Sequence, residues 1–133
     1  MILKIGHFAE FEKTFSSEEI ILFSGISDDN NPIHIDEEFA KKSIFGKRVI
    51  HGLLVSSLFS KIFGTIYPGN GSIYLSQNLK FLKPAFVDEK LKAIVTLIEF
   101  DEEKNRGKFI TEVFDVYNQK IITGDALILF PKK

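Results

Sequence analysis

Asp29 and His34 stand five residues apart in Ser27-Asp28-Asp29-Asn30-Asn31-Pro32-Ile33-His34, and His51-Gly52-Leu53-Leu54 follows after a short gap. A carboxylate and an imidazole at that spacing are a candidate acid/base pair able to converge on one water molecule. Pro32 lacks a backbone N–H and drives Asn31 toward extended geometry, so the chain between Asp29 and His34 is expected to bend rather than coil. Asp, Asn and Pro are also the ordinary chemistry of turns. The cluster alone therefore leaves open whether Asp29 reacts or merely punctuates the chain.

The surrounding pattern supplies elements to hold it. Ser16 or Ser17 followed by Glu18 and Glu19 predicts a helix start, with Ile20, Ile21 and Phe23 as an apolar face and Gly25 as its stop. A short helix is expected over Glu37 to Lys42, after which Gly46, Lys47 and Arg48 mark a loop leading to His51. From Gly52 to about Tyr67 only Lys61 is charged, which predicts a long helix enclosed by other structure, ended by Tyr67-Pro68-Gly69-Asn70-Gly71.

Downstream the period changes to alternation, predicting strands over 72–83, 91–100, 108–117 and 120–130, with an N-terminal strand near Ala9 to Thr14. Ile122, Gly124, Ala126, Ile128 and Phe130 fall on one face of the last, where the small Gly124 and Ala126 would let a helix approach. The expected fold is α+β, an antiparallel sheet curled around one long helix.

Composition narrows the function classes. At 133 residues, 44% hydrophobic and 26% charged, the chain fits one domain with its own core. Seventeen basic against eighteen acidic residues leave a net charge of −1, with no dense basic stripe, so no nucleic acid partner is expected. The absence of cysteine excludes a disulfide framework, a thiolate nucleophile and a Cys-based zinc site. The apolar run from Leu53 to Tyr67 is shorter than the ~20 residues of a membrane span, and the first ten residues lack a signal-peptide pattern, so a cytoplasmic location and no membrane partner are expected. His34 and Asp36 have no second His at a ligand-like spacing, so no metal and no cofactor are expected.

The pattern resembles the (R)-specific enoyl-CoA hydratases of the MaoC-like hot-dog family. The resemblance rests on Asp29-x-Asn31-Pro32-x-His34 preceded by Gly25-Ile26-Ser27, and on Val49-Ile50-His51-Gly52-Leu53-Leu54. It continues through Phe81-Leu82-Lys83-Pro84-Ala85-Phe86-Val87-Asp88-Glu89 and Thr123-Gly124-Asp125-Ala126, which spreads it over nearly the whole chain. It implies a single hot-dog domain over 1–133 and reversible addition of water to a trans-2-enoyl-CoA, giving the (R)-3-hydroxyacyl-CoA.

Asp29 and His34 would then hold the reacting water, spacing selecting Asp29 over Asp28. The Gly52 amide, in the opening turn of the long helix, would receive the thioester oxygen. Asn31 would orient the loop or the water, and Ser60 would donate toward Asp29. Phe63 and Ile128 would wall the acyl tunnel, a bulky Phe63 favouring short chains. Arg48, Lys80 and Lys83 are candidate contacts for coenzyme A phosphates, and a homodimer joined through an edge strand is implied. His51 is tempting as a second catalyst, although a His at a helix start is more often a cap or a packing residue. The alternatives are a (3R)-hydroxyacyl-acyl-carrier-protein dehydratase using the same two residues, a hot-dog thioesterase, and a non-catalytic acyl-thioester binding module.

Overall fold

The computed structural model describes residues 1–132. Strand β1 (Phe8–Thr14) leads to helix α1 (Ser17–Ser27), two short helical turns α2 (Pro32–Ile35) and α3 (Glu37–Lys41), and the long helix α4 (Gly52–Thr65). Four strands follow: β2 (Ile73–Phe81), β3 (Lys90–Asp101), β4 (Arg106–Phe114) and β5 (Lys120–Leu129). All pairings are antiparallel, in the order β1-β3-β4-β5-β2. This is the expected hot-dog arrangement, a sheet wrapped on one helix.

Alternation does the folding work in the sheet. Leu91, Ala93, Val95 and Leu97 of β3 point inward, joined by Phe109, Val113, Ile122, Ala126 and Ile128 from β4 and β5. Against them α4 sets Val55, Leu58, Phe59, Ile62 and Phe63, a stripe with helical spacing, and packs on β1, β2 and β3. Burying each such side chain is worth ~1.5–3 kcal/mol. No helix among the described residues is long and apolar enough to cross a membrane.

Several boundaries differ from expectation for identifiable reasons. Ser16 is the cap of α1: its Oγ accepts from the Glu19 N–H (3.2 Å) while Glu19 accepts from the Ser16 N–H (3.0 Å). The helix runs through Gly25, because one glycine costs only ~1 kcal/mol in a helix otherwise well anchored. It stops where Asp28 takes the left-handed conformation, φ 62°. Pro32 does not merely bend the chain. It opens α2 at the first helical position, where its fixed φ suits a helix and its missing N–H is not needed. Gly124 makes room for a strand rather than a helix, since a Cβ there would lie 1.9 Å from the Asn78 carbonyl oxygen of β2.

Candidate active site

The segment from Asp28 to Asn31 is knitted by its own side chains. Ser27 Oγ accepts from the Asp29 N–H (3.1 Å), Asp29 Oδ1 from the Asn31 N–H (3.2 Å), and Asn31 Oδ1 from the Ile33 N–H (3.2 Å), which caps α2. These Asx turns leave the second carboxylate oxygen of Asp29 free to face His34. Oδ2 lies 3.9 Å from His34 Nε2, with the carboxylate half exposed and the imidazole 11% exposed. That separation is too long for a direct hydrogen bond and is wide enough for one water to bond to both at ~2.8 Å.

The other face of His34 fixes its tautomer. Nδ1 lies 2.8 Å from the Val49 carbonyl oxygen, which can only accept, so Nδ1 carries the hydrogen and neutral His34 presents a lone pair at Nε2. Residues 48–50 are themselves stitched in place: the Val49 N–H donates to Ile33 (3.2 Å) and the Ile50 N–H to Ala85 (2.8 Å). Arg48, 9% exposed, donates from Nε to the His34 carbonyl (2.7 Å) and from Nη1 to Ser17 Oγ (2.8 Å), leaving Nη2 buried without a partner. The expectation that Arg48 contacts phosphate at the surface is therefore corrected. Its guanidinium is spent on the turn that carries His34, and the charged look of Lys47-Arg48 concealed this.

His51 gives α4 no side-chain cap. Its ring stacks on that of His34, with centroids 3.8 Å apart and planes 24° apart, while Phe23 meets it edge-on at 4.8 Å. Nε2 lies 3.0 Å from Ser24 Oγ and 3.4 Å from the Asp29 carbonyl oxygen. Burial first, and the neighbouring His34 second, push the His51 imidazole below its ordinary 6.5, so it stays neutral near pH 7. Ser24 carried one signal in the sequence, a hydroxyl four residues after Ile20 on the buried stripe of α1.

Asp29, Asn31, His34, His51 and Gly52 line one open cavity of about 720 Å³, whose walls include Leu53, Val55, Phe81, Ile121 and Ile122. Gly52 sits at the opening turn of α4, where backbone amides lack partners within the helix and carry its positive end. Phe81 lies against it, 2.5 Å from where a Cβ would stand, so only glycine fits there with the ring in this position.

Three predicted residues lie elsewhere in the single chain. Ser60 is exposed and outside the cavity lining, because eight residues along α4 carry it about 12 Å onward and about 80° around from Gly52. Phe63 and Ile128 are sealed in the core, Phe63 between Tyr74 and Phe109. Lys80 and Lys83 are exposed as expected, Lys83 at the cavity.

The folded chain also supplies what the metal argument lacked. Asp29, His34 and His51 each offer a ligand atom, all within 4.8 Å of one another. Stacked rings, however, run their in-plane lone pairs side by side instead of converging them, a poor fit to one ion.

Residues 5–118 match the family model described as MaoC like domain. The chain belongs to the MaoC-like family. Among its MaoC-like relatives, the (R)-specific enoyl-CoA hydratase of Aeromonas caviae is 36% identical over 129 residues, covering 97% of this chain and 96% of that one. The mitochondrial 3-hydroxyacyl-[acyl-carrier-protein] dehydratase of Arabidopsis thaliana is 37% identical over 133 residues, covering 98% and 79%. The solved structure of the A. caviae (R)-hydratase involved in PHA biosynthesis superposes with a TM-score of 0.95, covering 97% of this chain and 98% of that one. The unliganded R-hydratase of Pseudomonas aeruginosa, 34% identical, superposes with 0.94, covering 98% and 84%.

Proposed function

We propose that this MaoC-like chain is an (R)-specific enoyl-CoA hydratase, adding water reversibly to a trans-2-enoyl-CoA to give the (R)-3-hydroxyacyl-CoA. The observation that carries this reading is the 3.9 Å gap between Asp29 Oδ2 and His34 Nε2, on a largely apolar cavity beside the amides that open α4. A water in that gap donates to both groups. As its oxygen bonds to C3, one of its protons passes to the pair, and the electron pair of the C2–C3 double bond moves onto the thioester oxygen. The Gly52 amide stabilises that enolate charge. The proton then returns to C2 on the same face, so a single water delivers both additions and the thioester stays intact. No step needs a cofactor.

The relatives named as acyl-carrier-protein dehydratases favour a second carrier for the same equilibrium run in reverse. Either substrate presents a pantetheine arm, and Lys83 at the cavity suits the phosphate end of it. The working form is a homodimer. Strand β2 pairs on one side only and exposes Ile73, Tyr74, Leu75 and Phe81, an edge that a second copy would cover.

The decisive experiment follows enoyl absorbance after mixing with crotonyl-CoA, beside Asp29→Asn and His34→Ala, with chiral analysis of the product. Loss of absorbance giving the (R)-alcohol, reduced ~10²–10⁴-fold in each variant, is expected. Release of free thiol would replace the hydratase with a thioesterase. No turnover on enoyl-CoA or enoyl-acyl-carrier-protein would leave a binding module.

A further inference from the structure

The most closely held titratable side chain outside the reacting pair is His51, 3% exposed and in contact with Ser24, the Asp29 main chain and the His34 ring. The Asp29 carbonyl can only accept, so Nε2, 3.4 Å away, carries the hydrogen, and Ser24 Oγ at 3.0 Å shares it. Nδ1 is buried without a partner among the described residues, which leaves the ring nothing there to exchange protons with on that side. One edge of His51 is thus bonded to the Asp29 main chain and its face lies flat on His34, while the next residue is Gly52.

We propose that His51 is a positioning residue for the hydration reaction: anchored by Ser24, it holds the Asp29 main chain and the His34 ring in register, keeping the gap between them the width of one water. The catalytic consequence rests on the hydratase reading; the geometric one does not. The bond from His34 Nδ1 to Val49 pins one edge of the imidazole and leaves its Nε2 edge able to tilt. A stacked plate removes that tilt. The same residue ties down the Asp29 carbonyl, so one side chain links the two halves of the pair. Misplacing reacting groups by about 1 Å can cost ~10²-fold in rate. A neutral ring suits the task, since a charged one would oppose the proton that the pair takes up during turnover.

The test compares His51→Gln, which can keep a donor but loses the plate, His51→Phe, which keeps a plate but loses the donor, and Ser24→Ala, which loosens the anchor. Steady-state kinetics on crotonyl-CoA and long-range ¹H–¹⁵N spectra of the imidazoles are recorded for each, with circular dichroism to confirm folding. The expectation is a kcat lower by ~10–100-fold in both His51 variants and less in Ser24→Ala, with KM within about threefold. In the spectra, His34 passes from a single Nδ1–H tautomer to a mixture in His51→Gln and keeps the single form in His51→Phe. A folded His51→Gln with wild-type kcat and an unchanged His34 tautomer would overturn the proposal. So would losses in His51→Gln and His51→Phe as deep as that of His34→Ala, which would make His51 a catalytic residue. If the wild type hydrates no enoyl thioester, the hydratase reading fails, while the tautomer in each variant still decides the positioning.

Discussion

Replacing Arg48 by Gln separates two opposed readings of one residue. A surface contact to substrate phosphate would give up affinity and nothing else. The structure instead has Arg48 donating from Nε to the His34 carbonyl at 2.7 Å and from Nη1 to Ser17 at 2.8 Å, joining the start of α1 to the turn that carries His34. Two hydrogen bonds from a charged donor are worth ~1.5–3 kcal/mol each, and the carbonyl left behind is buried. Against this, a guanidinium that is nearly buried with one nitrogen unpartnered has a desolvation cost that its removal returns. The return is partial, because guanidinium is weakly hydrated to begin with. The balance is a net loss of ~1–3 kcal/mol in Arg48→Gln, since each bond broken leaves a polar partner behind. Urea unfolding measures it, and kcat should fall together with stability while KM for the acyl-CoA holds. A variant with unchanged unfolding midpoint and a raised KM would refute the argument and return Arg48 to the substrate.

Three further outcomes follow from the same geometry. In Gly52→Ala the new Cβ meets Phe81 at 2.5 Å; the ring is over half exposed and can swing away, so the protein should stay folded while kcat/KM drops. Adding Phe81→Ala should recover part of that loss, and no recovery would mean that the Cβ itself blocks the amide. Because the folded state holds His51 below 6.5, the unfolded chain takes up that proton first as pH falls; stability from this group is complete above about 6.5 and is lost as pH falls through the folded value. Melting temperatures at pH 7.5 and pH 5 should therefore differ more in the wild type than in His51→Phe. Phe63→Ala should cost ~3–5 kcal/mol in urea unfolding, as core truncations of Phe do, with its chain-length preference unchanged; acceptance of longer enoyl-CoAs without that cost would make Phe63 a tunnel wall.

What was legible in the chain is what short-range physics determines. The start of α1 at Ser16 or Ser17, the apolar stripe of α4 and the alternation of β3 each involve neighbours a few residues apart, so pattern alone placed them, and the structure decides for Ser16. Asp29 and His34 were legible for the same reason, being five residues apart on one loop and turn. Errors arose where a local rule met a competing one. Gly25 looked like a stop, but the left-handed position fell to Asp28. Gly124 looked like a seat for a helix, but the neighbouring strand's carbonyl fills that space. The support around the pair was illegible: Arg48 and His51 meet His34 and Asp29, and Ser24 meets His51, across long stretches of chain, and nothing in a one-dimensional pattern sets such a convergence.

That division has a mechanical meaning. Asp29 and His34 lie on a loop and a four-residue turn, outside the sheet, where no ladder of hydrogen bonds fixes their position. A loop alone would let a 3.9 Å gap drift, and a hydration reaction tolerates little drift. The rigidity arrives through the segment 48–52. Arg48 holds the His34 main chain, Val49 takes its Nδ1–H, Ile50 ties the segment to Ala85, and His51 lies on the ring. Gly52 then begins the helix that anchors all of it in the core. The proposed reacting groups come from one stretch of chain and their rigidity from another, so substitutions within 48–52 should change turnover without altering either proposed reacting side chain.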